Sequence, residues 1–67
     1  MRYRILVRGV IPASWFGELQ VSVLKGTETI LQGEFADQAA LFGVLRRIRD
    51  LGIELQSVQP VGEGETE

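Results

Sequence analysis

The sequence predicts an α+β domain, a single four-stranded, mainly antiparallel sheet with one amphipathic helix packed on one face, in the order β-β-β-α-β. Three observations lead there. Apolar residues recur at every second position through the first half of the chain, the period changes to three-and-four between Asp37 and Leu51, and a short alternating run returns after Gly52. With 67 residues there is no room for a second core. Residues 1–60 are therefore read as one domain and residues 61–67, rich in glutamate and glycine, as a disordered acidic tail.

The first strand is expected from Arg2 to Ile11, with Tyr3, Ile5, Val7 and Ile11 on one face and Arg2, Arg4 and Arg8 on the other. Pro12 has no N–H to donate to a ladder, so residues 12–17 read as a loop carrying the aromatic pair Trp15-Phe16. Glu18 to Lys25 alternates again, with Leu19, Val21 and Val23 inward. A turn over Lys25-Gly26-Thr27-Glu28 leads into a third strand from Thr29 to Phe35, in which Gly33 is expected to mark a bulge. The helix follows, with Leu41, Val44, Leu45, Ile48 and Leu51 as its buried stripe, Asp37 as N-cap and Gly52 at its C-terminal end. Ile53 to Gln59 is a last strand ended by Pro60. A meander followed by a crossover helix makes 3-2-1-4 the simplest strand order, with the last strand parallel to the first and third.

The helix Asp37-Gln38-Ala39-Ala40-Leu41-Phe42-Gly43-Val44-Leu45-Arg46-Arg47-Ile48-Arg49-Asp50-Leu51-Gly52, followed by Leu55 and Ser57-Val58, resembles that of a family of short uncharacterised bacterial proteins. The Trp15-Phe16-Gly17 loop and the opening strand with Arg8-Gly9 resemble the same family. The resemblance spans nearly the whole chain except the acidic tail. Members usually have a histidine where this chain has Phe42, so no role of that histidine transfers. The resemblance implies a small bacterial domain and names no activity.

Composition narrows the chemistry. The chain has neither cysteine nor histidine, which removes disulfides, the usual acid–base residue and the common zinc ligands, and no cofactor is expected. Ser14, Ser22 and Ser57 are the available serines and Lys25 the one lysine base, and nothing in their spacing pairs them, so an enzyme is not expected. Six acidic side chains balance seven basic ones over residues 1–60, which argues against nucleic acid as a partner. No apolar run approaches the roughly 20 residues of a membrane span, no signal peptide is recognised, and a cytoplasmic location is expected.

Apolar residues on the outward-facing positions are the functional lead. A helix on one face leaves Leu6, Leu24 and Ile30 on the other, and adjacent rings such as Trp15 and Phe16 rarely both point inward. Phe42 lies on the flank of the helix stripe. These six residues are read as the contact surface of a non-catalytic interaction module, most simply a homodimer formed through the open sheet face and the Trp15-Phe16 loop, with an unidentified protein partner as a further possibility. The alternative is a regulatory domain binding an anionic metabolite in a dimer cleft, with Arg4 as the anion contact.

Overall fold

A computed structural model describes residues 1–62, and residues 63–67, the greater part of the acidic tail, lie outside the described residues. Four strands, β1 (Arg2–Arg8), β2 (Gln20–Leu24), β3 (Glu28–Glu34) and β4 (Leu55–Pro60), form one sheet in the order β2-β3-β1-β4, and the helix α1 (Gln38–Asp50) lies between β3 and β4 in sequence. Every neighbouring pair is antiparallel.

The α+β architecture matches the expectation, but the strand order does not. β3, not β2, pairs with β1, and β4 runs antiparallel to β1 instead of parallel to it. The cause is the link over residues 9–19, which is a crossover and not a hairpin. A single 3-10 turn, Ala13–Phe16, carries the chain past one strand position. β2 therefore runs parallel to β1 with β3 between them, and β4 runs parallel to β3 with β1 between them. The connectivity is that of a split β-α-β arrangement in which the first crossover helix is reduced to one turn.

The core forms where the alternating faces meet the helix stripe. Ile5 lies opposite both Leu31 and Val58, and Val7 lies opposite Thr29. Ile5, Val7, Leu31, Leu41, Ile48 and Phe16 are buried together. Phe35 closes one end, with the Tyr3 ring edge-on to it at 6.2 Å. β1 ends earlier than the alternation suggests, because Gly9 adopts φ 99° and turns the chain out of the ladder. Ile11 is nevertheless buried, held by a buried side-chain bridge. The Thr29 hydroxyl donates to the Gly9 carbonyl at 2.6 Å and accepts from the Ile11 N–H at 3.2 Å.

Both helix ends form as the sequence predicts. Asp37 Oδ1 accepts from the Ala40 N–H at 2.9 Å. Gly52 takes φ 76°, its N–H donates to the Arg49 carbonyl and the Ile53 N–H donates to the Ile48 carbonyl, the paired bonds of a Schellman motif.

Gly33 marks no bulge. It faces Tyr3 in unbroken register, and its missing side chain makes room for Leu19, since a Cβ there would stand 2.7 Å from Leu19 Cδ2 and push that side chain aside. The register shift lies instead between β1 and β4, at Leu6/Val7. Val61, at the start of the expected tail, donates its N–H to the Arg2 carbonyl at 2.9 Å.

Candidate functional site

The open sheet face is organised in rows that run across the strands. Ser22, Ile30, Leu6 and Ser57 form the central row, and Gln20, Gln32, Arg4 and Gln59 form the next. Leu24, Glu28 and Arg8 form a third. Leu6 and Ile30 are thus direct cross-strand neighbours on the two central strands, and Leu24 is diagonal to Ile30. Leu6 and Ile30 are half-buried, and Leu24 is 38% exposed. The structure brings these three together as a small apolar centre inside a polar rim.

The charges of this face are partly paired with one another. Glu34 accepts a hydrogen bond from the Met1 amine at 2.8 Å and stands 3.9 Å from Arg2, its cross-strand partner. The hydrogen bond holds its carboxyl below the usual 4.5; desolvation opposes that, and the charges of the amine and Arg2 reinforce it. Arg8 pairs with Glu54 at 3.7 Å.

Trp15 and Phe16 part company. Phe16 is fully buried and belongs to the core, so it offers nothing to a partner, whereas Trp15 is 44% exposed. Arg47 touches both residues of the pair. Its Nη1 donates to the Trp15 carbonyl at 2.9 Å, and its guanidinium lies 5.5 Å from the Phe16 ring centre, so the helix holds the 3-10 turn against the core. Both aromatic residues are on the helix side of the sheet, and Arg4 is on the open face. The chain by itself does not bring Arg4 to Trp15 and Phe16.

Phe42 is 55% exposed and borders a groove of roughly 660 Å³ between α1 and the start of β4. Leu45, Ile48, Ile53 and Leu55 supply the apolar lining, and Arg46 and Arg49 the cationic part. Leu55 is a surface residue that the period-two pattern misassigns. The register shift sets it opposite Val7, whose side chain is in the core, so Leu55 joins the helix face of the sheet. No periodic signal reveals such a shift, because it changes the phase of the alternation within one strand.

Among the described residues no cluster of three or more acidic, cysteine or histidine side chains is placed to hold a metal ion. No helix among the described residues is long and apolar enough to cross a membrane. No curated protein and no solved structure matches the chain. A family model described as a domain of unknown function matches residues 2–59, nearly the whole of the described fold, and the chain belongs to that family, DUF8691.

Proposed function

We propose that this domain is a non-catalytic association module that pairs with a second copy of itself through the open sheet face. The observation that carries the reading is the Leu6–Ile30 pair. These side chains sit opposite each other on the two central strands, facing away from the helix, with Leu24 beside them. An apolar centre enclosed by Ser22, Ser57, Gln20, Gln32 and Gln59 has the anatomy of a protein interface, with a dry middle and a polar rim.

The face also suits a two-fold partner. It carries arginines along β1 and glutamates along β3, so a two-fold axis parallel to the strands and between these two sets the arginines of one copy over the glutamates of the other. A small chain without disulfides gains stability by such burial, since a domain of this length buries only about 60% of its unfolded surface alone. Each buried aliphatic side chain is worth about 1.5–3 kcal/mol, and 1.4 kcal/mol is about a tenfold change in affinity.

Replacing Leu6 and Ile30 together by serine tests the reading by sedimentation. The double variant is expected to weaken self-association by about a hundredfold or more while keeping the wild-type circular dichroism. Unaltered association of the folded double variant rejects this face.

A further inference from the structure

The groove beside α1 lies next to a second feature, the free edge of β4. Among the described residues this strand pairs only with β1, so its other side is the rim of the sheet. Arg4 lies opposite Gln59, Leu6 lies opposite Ser57, and the Val61 N–H bonds to the Arg2 carbonyl. In an antiparallel ladder the direction of main-chain bonding alternates from residue to residue. Ser57, Gln59 and Val61 therefore turn their main chains toward β1, and Val58 turns its N–H and C=O outward. Pro60 has no N–H, and the register shift interrupts the other end of the strand. The usable edge is short, which disfavours long strand-to-strand pairing between copies and suits a few residues of extended chain.

The groove specifies what those residues carry. Its apolar lining of Phe42, Leu45, Ile53 and Leu55 is shaped to take a large apolar side chain. Its two arginines differ in what holds them. Arg49 is occupied by its neighbour Asp50 at 3.3 Å, whereas Arg46 has no hydrogen bond or ion pair among the described residues. A guanidinium beside an apolar groove is complemented by a carboxylate, which it binds through paired N–H donors.

We propose that the α1–β4 groove docks an extended segment of another protein, lying along the edge at Val58, in which a large apolar residue is flanked by aspartate or glutamate. The segment adds main-chain bonds to β4, places its apolar side chain among Phe42, Leu45 and Leu55, and presents a carboxylate to Arg46. This mode combines strand addition with a side-chain pocket, affinity coming from the first and selectivity from the second. The groove is on the helix side, so the reading is independent of association through the open face.

The test is an amide NMR titration of the full chain with two capped pentapeptides, Glu-Leu-Asp-Phe-Glu and its counterpart with every acid replaced by lysine. The acidic peptide is expected to shift the amides of Phe42, Arg46, Ile53 and Leu55 saturably and to slow hydrogen exchange at Val58. Arg46→Glu, a change at an exposed side chain, is expected to weaken that peptide by about tenfold or more and to favour the lysine peptide. Phe42→Ala is expected to weaken both the acidic peptide on the otherwise wild-type chain and the lysine peptide on the Arg46→Glu chain. Equal affinity for the two peptides, shifts confined to other surfaces, or none at millimolar peptide overturns the proposal. So does a groove that responds equally to decanoate with no added protection at Val58, since that identifies a site for small amphiphiles.

Discussion

One hydroxyl holds the exit from β1. Thr29 is fully buried, and its Oγ1 serves the Gly9 carbonyl and the Ile11 N–H together, where the chain leaves the ladder. Thr29→Val keeps the shape and removes both bonds, leaving two main-chain groups unsatisfied inside the fold. It is expected to cost about 1–3 kcal/mol in urea denaturation, with Thr29→Ser recovering part of the loss. The alternation of the third strand places Thr29 inward but is silent about this bridge, which depends on a turn twenty residues away in sequence. The Trp15-Phe16 pair has the same limit. Two adjacent rings must diverge, and that much is legible, but which one enters the core rests on tertiary packing with partners far away in sequence, Arg47 among them, thirty-two residues from Trp15.

At the scale of elements, the helix ends read correctly, whereas Val23 and Leu51, expected inward, are exposed. Both helix ends are visible in the sequence because capping uses residues within a turn of the end. Asp37→Ala is expected to lower stability by about 1 kcal/mol, measured by thermal or urea unfolding, with the sheet unchanged. Strand order belongs to a different class of information. Period two tells which face a side chain takes but not which strand lies next to it, so a crossover at residues 9–19 and a wide hairpin carry the same pattern. The choice rests on how the 3-10 turn packs, with Phe16 buried beneath α1 and Leu19 filling the space that Gly33 leaves.

The end of β3 adds a pH dependence at the same scale. The native Glu34 carboxyl is depressed, first by the hydrogen bond from the Met1 amine, so its stabilising contribution is fully present above the unfolded value and disappears as pH falls through the native one. Stability is expected to decline with acidification below 4.5, and Glu34→Gln to flatten that part of the curve. An unchanged acid limb in the variant removes the pairing from the account.

For the whole molecule, the sheet and its single helix enclose one core and leave two unlike surfaces outside it. The open face has a small apolar centre, legible from alternation because Leu6 and Ile30 occupy outward positions on regular strands. The groove on the other side is only half legible. Phe42 stands out on the helix flank, whereas Leu55 reaches the groove through a register shift that only the assembled sheet creates. Both surfaces consist of apolar side chains framed by polar ones, the arrangement of contact surfaces, and association through the first of them is the central proposal. Solution mass by light scattering after size exclusion, across a wide range of concentrations, tests that proposal most directly. A species of twice the 7.4 kDa chain mass is expected at high concentration, dissociating on dilution. A mass that stays at that of one chain up to the millimolar range contradicts it.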